Sequence, residues 1–183
     1  MHTTKSDGSL SPLDLYKQAV KLKIKHISIT DHHNTEAYSI IDSWLNKNKR
    51  LCSHTKLWTG IEITSLLDGC LVHILGIGFD QKCKSLDKYC QNQSVIGQDL
   101  ECRNLIKSIH DANGLAILAH PARYRKSFSS LIKAAKECDI DGVEVWYDYE
   151  RSSIWTPTEL ICNKINDLRL KYNLLSTCGT DTH

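Results

Sequence analysis

The sequence predicts an α/β fold in which helices cover a largely parallel sheet or barrel. Short runs rich in β-branched residues alternate with longer segments of helical periodicity along the whole chain. Hydrophobic residues make up 41% and charged residues 24% of the sequence, which is the balance of a globular protein with one sizeable core. No internal repeat, linker or low-complexity segment interrupts the alternation, so we expect the 183 residues to form one domain.

The helical segments are marked by apolar spacing and by residues that favour helix ends. Ser11-Pro12 is a favourable N-cap and first-turn pair, Thr156-Pro157 opens the last helix, and Gly114 suits the position that follows a helix. These signals predict helices over residues 12–22, 35–45, 98–113, 128–138 and 157–172.

The strands complete the alternation. They are predicted over residues 26–30, 57–64, 71–79, 115–119, 142–147 and 174–178. The second and third of these are joined by a connection too short for a parallel crossover, so we expect them to form a hairpin. A four-residue loop with Gly69 in the left-handed conformation would place Glu62 directly opposite His73, on the same face of the hairpin. Residues 46–56 and 81–97 carry the weakest patterns and are predicted to be surface loops.

Charge and cysteine content exclude several classes of protein. Lys and Arg number 23 against 21 Asp and Glu, a net charge of +2, so we expect no stable binding of duplex nucleic acid, although a local basic patch stays open. We also expect no membrane partner. No apolar run approaches the roughly 18 residues of a membrane span, and the first residues lack the apolar core of a signal peptide. None of the eight cysteines has CxxC spacing, so we expect mostly free thiols in a reducing cytoplasm.

Histidines and carboxylates recur at the ends of predicted strands, in the hairpin and in the first loop. Any one of them alone is more commonly a structural histidine, a helix cap or a turn residue, but five separate segments place such residues at corresponding strand ends. Active sites of parallel α/β folds form at that end of the sheet. The candidate residues are His2, Asp7, Asp31, His32, Glu62, His73, His120, Glu144, Asp181 and His183.

The chemistry of this set favours a metal centre. Histidine and carboxylate ligands without thiolates suit Zn, Mn or Fe, and a carboxylate can bridge two metals about 3.5–4 Å apart, as in hydrolytic sites. We therefore expect a centre of divalent metal ions at this end of the sheet. The remaining histidines lack this placement and are predicted to be surface or structural residues: His26, His33, His54 and His110.

The motifs around these residues resemble those of the PHP (polymerase and histidinol phosphatase) family and occur in the family's order along the whole chain. They are His2-Thr3-x-x-Ser6-Asp7-Gly8, Ile29-Thr30-Asp31-His32, Gly60-x-Glu62, His73-Ile74-Leu75-Gly76, Ala119-His120-Pro121 and Gly179-Thr180-Asp181-x-His183. The resemblance implies a distorted (β/α)7 barrel whose two- or three-metal centre cleaves phosphoesters.

The chain departs from the family pattern at both ends. The family opens with H-x-H, of which only the second histidine, His2, is present, and the chain stops at the last ligand, His183. We therefore expect residues 1–183 to be a single phosphoesterase domain cut at both motifs, with the first strand missing, or a reading frame whose start was assigned to an internal Met.

The resemblance also implies a ligand set for each metal. The first metal would use His2, Glu62 and Asp181 and would lack a fourth ligand. The second would use Glu62, His73 and His120, with Glu62 bridging, and the third would use Asp7, His32 and His183. Glu62 and Asp181 would then be the catalytic residues, acting through a metal-bridging hydroxide without a side-chain nucleophile.

Three further residues are expected around the metals. Asp31 is predicted to orient a ligand from behind, and Glu144 is predicted either to do the same or to be a charge in the barrel interior. Arg123 lies three residues after His120, so its guanidinium could grip a substrate phosphate; the alternative for Arg123, and for Arg125, is a solvated loop.

Three functions remain open from the sequence. The first is a nucleoside 3′,5′-bisphosphate phosphatase or a 5′→3′ exonuclease acting on short 5′-phosphorylated oligonucleotides. The second is a histidinol-phosphate phosphatase, which performs the same chemistry on another small phosphorylated substrate. The third is a metal-depleted binding or structural domain, which metal content would distinguish from both enzymes.

Overall fold

The structure, a computed structural model, describes residues 1–48 and 54–181. Its α-helices are α1 (Pro12–Lys21), α2 (Glu36–Lys47), α3 (Cys102–Asp111), α4 (Phe128–Glu137) and α5 (Glu159–Lys171). Its strands are β1 (His26–Ser28), β2 (Lys56–Trp58), β3 (Gly60–Leu67), β4 (Cys70–Ile77), β5 (Leu115–Leu118), β6 (Gly142–Trp146) and β7 (Leu175–Cys178).

The strands form two sheets. β1 and β2 pair in parallel, and the second sheet has the order β3-β4-β5-β6-β7. β3, β4 and β5 are antiparallel neighbours, whereas β5, β6 and β7 run parallel with α4 and α5 as crossovers. An isolated parallel bridge between His32 and Glu62 connects the segment after β1 to β3. The predicted α/β class with a parallel-rich sheet is thereby confirmed.

The β3–β4 hairpin has a different turn from the predicted one. Asp68 and Gly69 alone form the turn, with φ of 50° and 72°, the pair of left-handed residues that a two-residue type I′ turn requires. The expected four-residue loop is therefore wrong, and so is the direct pairing of Glu62 with His73, since Glu62 pairs with Leu75. Because the register differs by two residues, His73 still lies on the same face as Glu62.

The single strand predicted over 57–64 is two strands. The chain changes partner at Thr59, whose hydroxyl donates a hydrogen bond to Phe79 O at 2.7 Å. Gly60 then begins β3 so close to β1 that a Cβ at this position would lie 2.1 Å from Ser28 Oγ. Only a residue without a side chain allows this approach, so Gly60 lets the chain leave β1 for the second sheet.

The predicted helix 98–113 begins later than expected. Gly97–Leu100 form a 3₁₀ turn, and Glu101 is extended and bridges to Leu66 before α3 starts. The helix is followed by Asn113 in the left-handed conformation, with φ of 58°, so Asn113 and not Gly114 takes that position.

Of the three apolar clusters in the described residues, the two larger ones hold the helices on the sheets. The larger one packs β3 to β6 against α3, α4 and α5, with Ile63, Leu105 and Leu118 fully buried. The smaller one packs α1 and α2 on β1. The predicted surface loop 81–97 contributes to the larger cluster, because Leu86 and Tyr89 are buried in a 3₁₀ helix; that prediction is wrong in this part.

Other features agree with the sequence or fall outside the described residues. The seven cysteines in the described residues are free thiols; Cys52 lies in 49–53, which the structure does not describe. None of the helices that the structure describes is long and apolar enough to span a membrane. His183 is likewise outside the described residues.

Candidate metal centre

Glu62 stands at the centre of the predicted site. Its Oε1 lies 2.6 Å from His73 Nδ1 and 3.3 Å from His120 Nε2, and its Oε2 lies 3.3 Å from His2 Nε2. β3 supplies the carboxylate, β4 supplies His73, and His120 follows β5, so three segments converge on it. One buried carboxylate thus contacts three imidazoles from distant parts of the chain.

The charge of this carboxylate follows from its contacts. Burial alone would raise the pKa of Glu62, but its close contacts with the imidazoles of His120, His2 and His73 hold its pKa well below the usual range. Glu62 is therefore an anion at neutral pH. An anionic carboxylate whose two oxygens face different histidines has the geometry of a bridging ligand.

His2 links Glu62 to Asp181. Its Nε2 lies 3.0 Å from Asp181 Oδ1 as well as 3.3 Å from Glu62 Oε2. Burial lowers the pKa of His2, but the hydrogen bonds with Asp181 and Glu62 prevail and raise it to about 9. For Asp181, burial raises the pKa, and contacts with His2 and Tyr147 lower it below its usual range.

His32 and Asp7 lie on the outer side of His2. The His32 ring stacks on the His2 ring with a centroid separation of 4.5 Å. Asp7 is half exposed, with its two oxygens 3.5 Å from His2 Nδ1 and 3.7 Å from His32 Nε2. The third ligand expected with Asp7 and His32 was His183, which lies outside the described residues.

Two groups of side chains can each hold a cation, because their ligand atoms lie within 4.8 Å of one another. One is Glu62, His73 and His120, the set implied for the second metal. The other is His2, His32 and Glu62, so the structure places His32 beside the first metal's ligands rather than with Asp7 alone. The donors are nitrogen and carboxylate oxygen, which suits Zn, Mn or Fe.

Polar atoms that a cation would satisfy support this fit. The Nδ1 atoms of His73 and His120 are buried, and neither makes a hydrogen bond with the described residues. His73 Nδ1 points at an anionic oxygen of Glu62 only 2.6 Å away without hydrogen-bond geometry. Unsatisfied buried nitrogens are costly, and a metal ion bound to His73 and Glu62 would satisfy His73 Nδ1. His120 faces Glu62 through Nε2, so such an ion would leave its Nδ1 unchanged.

The backbone around His120 is held in a strained conformation. His120 has φ of 26° and is only 3% exposed. Glu144 Oε2 accepts a hydrogen bond from His120 N at 2.8 Å, which holds that backbone in place. Gly179 makes room for this carboxylate, since a Cβ there would lie 1.9 Å from Glu144 Oε1. Burial raises the pKa of Glu144 to about 7.

Asp31 organises the loop that carries His2 and Asp7. Its Oδ1 accepts hydrogen bonds from Thr3 N at 2.6 Å and Ser6 Oγ at 2.8 Å, and its Oδ2 accepts one from Thr3 Oγ1 at 2.7 Å. The carboxylate is 1% exposed. Its contacts are with the loop backbone and hydroxyls rather than with an imidazole.

Arg123 contacts the site directly. Its Nη1 donates to Asp181 Oδ2 and, at 3.0 Å, to the hydroxyl of Tyr147. Tyr147 in turn donates to Asp181 Oδ2 at 2.6 Å. The guanidinium is partly exposed at the rim of the site, whereas Arg125 has no described hydrogen bond to a ligand.

Two tyrosines at the site were not among the predicted residues. Tyr147 holds Asp181, and the Tyr124 hydroxyl accepts a hydrogen bond from His73 N at 2.7 Å. Tyr147 directly follows β6, and strand-end position was the available signal for it. Of the histidines predicted to be structural, His33 is buried next to the site, where its Nδ1 contacts Tyr89 O at 3.2 Å.

Comparison with known proteins places this geometry in context. The chain is 28% identical over 123 residues to the 5′-3′ exoribonuclease Rnm of Escherichia coli K12, covering 63% of this chain and 41% of that protein. It is 30% identical over 135 residues to a 5′-3′ exoribonuclease of Haemophilus influenzae, covering 67% of this chain and 47% of that protein. The matches span less than half the length of these relatives.

Solved structures share the fold across the whole chain. An amidohydrolase from Chromobacterium violaceum, determined with bound sulfate and no metal, matches with a TM-score of 0.79 at 17% identity, covering 100% of this chain and 85% of that one. A protein described as a metal-dependent phosphoesterase from Bifidobacterium adolescentis matches with a TM-score of 0.77 at 19% identity, with the same coverages.

The family assignment follows from a match that covers most of the chain. The model of the PHP domain matches residues 1–167, a range that contains every ligand expected from the motifs except Asp181 and His183, which follow it. The resemblance seen in the sequence is confirmed, and this chain belongs to the PHP domain family.

Proposed function

We propose that this chain is a metal-dependent phosphoesterase that hydrolyses short phosphorylated nucleotides. The observation that carries the proposal is the anionic carboxylate of Glu62 in contact with His2, His73 and His120. Glu62 belongs to both groups of potential ligands, and their nitrogen and carboxylate donors are those that would hold divalent cations in a hydrolytic site. The family membership and the names of the relatives support the same reaction class.

The proposed ligands follow the contacts. Glu62, His73 and His120 would hold one ion, and His2, Glu62 and Asp181 another. Asp7 and His32 lie at the rim, where a third could bind. Divalent Mn, Fe or Zn in these positions would supply positive charge for the phosphate oxygens and activate water.

The remaining residues of the site bind the substrate phosphate or orient the proposed metal ligands. Arg123 offers planar, charged donors at the open side of Asp181, which suits a phosphate oxygen of the substrate. Tyr147 holds the Asp181 carboxylate, and Glu144 holds the backbone of His120. Both supports fix the positions of proposed ligands, so the chain itself contributes positioning and phosphate binding.

The space beside the site accommodates more than a phosphate. A cavity of about 760 Å³ is lined by Arg123, Tyr147, Arg151, Trp155 and Asp181 among others. A nucleoside fits in such a volume, with its phosphate at the guanidinium of Arg123. We therefore propose a nucleoside 3′,5′-bisphosphate or a short 5′-phosphorylated oligonucleotide as substrate, in line with the exoribonuclease names of the relatives.

We also propose that the two sheets are arcs of the distorted (β/α)7 barrel that the resemblance implies. The His32 to Glu62 bridge joins them on one side. A cavity of about 300 Å³, whose lining includes Ile27, Leu75 and Thr177 from three different strands, lies where the barrel interior would be. Glu62 also lines this cavity.

A substrate panel tests the proposed function. Protein loaded with Mn²⁺ should hydrolyse nucleoside 3′,5′-bisphosphates or 5′-phosphorylated oligonucleotides, and a chelator should abolish the activity. His73→Ala should lose both activity and bound metal, whereas His110→Ala, which removes a surface histidine paired with Asp141, should keep both. Fewer than one bound ion per chain after Mn²⁺ loading would refute the proposal, and preference for histidinol phosphate would refute the nucleotide substrate.

A further inference from the structure

The two oxygens of Asp181 face different partners. Oδ1 lies 3.0 Å from His2 Nε2, on the side of the proposed metal. Oδ2 accepts hydrogen bonds from the Tyr147 hydroxyl at 2.6 Å and from the guanidinium of Arg123. The same carboxylate is therefore both a proposed metal ligand and the counterion of the residue proposed to bind phosphate.

We infer that Arg123 and the metal compete for Asp181, so that metal binding releases the guanidinium toward the substrate phosphate. This inference rests on the proposed function, because it takes Asp181 as a metal ligand and Arg123 as a phosphate donor. Tyr147 is the positioning residue in the exchange: it holds Asp181 in either state.

Electrostatics favours the exchange. A divalent cation next to Asp181 repels a guanidinium bound to the same carboxylate, and this repulsion is stronger in a partly buried site than in water because the effective dielectric constant is lower. The coordinated carboxylate also has less negative charge left to share with Arg123. The ion pair should therefore weaken once the metal is in place.

The anchoring of Arg123 lets the side chain move without disturbing the ligands. Its backbone is fixed in the 3₁₀ turn Pro121–Arg123, where Arg123 N donates to His120 O at 3.0 Å. The side chain is 35% exposed, so its end can leave Asp181 for solvent or substrate. Contact with the Tyr147 ring, 5.9 Å from Arg123 Cζ to the centroid, gives it a second support.

Thermodynamic linkage determines whether each substitution raises or lowers the affinity for the metal. Removing a competitor for Asp181 must raise metal affinity, whereas removing a residue that only stabilises the site must lower it. Arg123→Ala and Tyr147→Phe are thus expected to act in opposite directions, although both remove one hydrogen bond to the same oxygen. A purely structural role for Arg123 predicts the same direction for both.

The experiment is calorimetric titration of Mn²⁺ into chelator-treated full chain. Arg123→Ala should bind the ion at the Asp181 site about fivefold or more tightly than wild type. Tyr147→Phe should bind it about tenfold more weakly, the usual effect of losing a ligand's support. Arg125→Ala and Tyr149→Phe are the matched controls, and both should match wild type. Arg123→Lys keeps a charge near Asp181 and should fall between wild type and Arg123→Ala.

The outcomes separate the two proposals. If wild type binds Mn²⁺ and Arg123→Ala binds it equally or more weakly, the proposed competition is wrong but the metal centre is supported. Wild-type chain that binds no Mn²⁺ overturns the proposed function and the competition together. If Arg123→Ala does not fold, Arg123→Lys and Arg123→Gln carry the test, and affinities at or below wild type for both overturn the inference.

Discussion

The buried carboxylate of Glu144 accepts a hydrogen bond from the backbone N–H of His120 at 2.8 Å, directly behind a proposed metal ligand. His120 has φ of 26°, a conformation that costs of order 1–3 kcal/mol and persists only where its surroundings enforce it. Glu144 is one of the groups that enforce it. Burying a carboxyl group here to position His120 makes the stability of the fold depend on pH.

Glu144→Gln should change the pH dependence of folding. Burial raises the pKa of Glu144 to about 7 from its ordinary 4.5, so between these values the folded chain keeps a proton that the unfolded chain releases. Wild-type stability should therefore fall as pH rises from 4.5 to 7, by about 3 kcal/mol, and then level off. The amide introduced by the substitution cannot ionise, so Glu144→Gln should lack this component of the fall.

The free energies of unfolding of wild type and Glu144→Gln are compared by urea unfolding of chelator-treated protein at about pH 5 and about pH 8, on either side of the raised pKa. The free energy of unfolding of Glu144→Gln relative to wild type should be higher at the upper pH than at the lower one. The exposed Glu150→Gln is the control and should follow the wild-type profile. Parallel profiles for wild type and Glu144→Gln would show that Glu144 is not protonated at neutral pH in the folded chain.

Glu62→Gln should abolish metal binding and turnover together. The substitution keeps the shape of the side chain but removes the negative charge that faces His2, His73 and His120. A neutral amide is a poor bridging ligand, so both groups of ligands lose their shared member. Elemental analysis after Mn²⁺ loading and the rate of phosphate release are the measurements. A Glu62→Gln chain with its full metal complement would contradict the central role given to this carboxylate.

Metal binding should release a proton from His2. The pKa of His2 is raised to about 9, so the imidazole is charged at about pH 7.5 and must lose its proton before it can bind a cation. We expect Mn²⁺ affinity to increase with pH up to about 9, with close to one proton released from His2 per chain at about pH 7.5. Calorimetry in two buffers of different ionisation enthalpy gives the number of protons released per chain. Equal apparent enthalpies in both buffers would mean that His2 is already neutral.

Arg123→Ala should raise KM for phosphorylated nucleotides at saturating Mn²⁺. A hydrogen bond to a charged group is worth about 1.5–3 kcal/mol, which corresponds to a roughly 10- to 100-fold loss of substrate affinity. Metal content should stay at the wild-type level under these conditions, and Arg125→Ala should leave KM unchanged. If KM of Arg123→Ala is unaltered on every phosphorylated substrate, Arg123 does not bind phosphate, and the alternative of a solvated loop residue holds.

The α/β class and most of the residues around Glu62 could be predicted from the chain. Alternating periodicities report local burial, which each segment encodes in its own residues, and strand ends such as His120 follow from the segment boundaries. The shared face of Glu62 and His73 was likewise predictable, because side chains alternate along a strand and a shift of two residues preserves the face.

Contacts between distant segments were decided by the packing of the elements. The Asp68-Gly69 turn set the hairpin register, and the approach of the first loop to the segment after β1 brought His32 onto His2 rather than leaving it with Asp7 alone. The partners of Arg123 depend in the same way on where β6 and β7 end in space. Periodicity describes which face a residue occupies, whereas a distance between two side chains depends on every packed layer between them. For that reason the types of candidate ligand can be predicted from the sequence, whereas the hydrogen bonds among Arg123, Tyr147 and Asp181 are determined only by the tertiary structure.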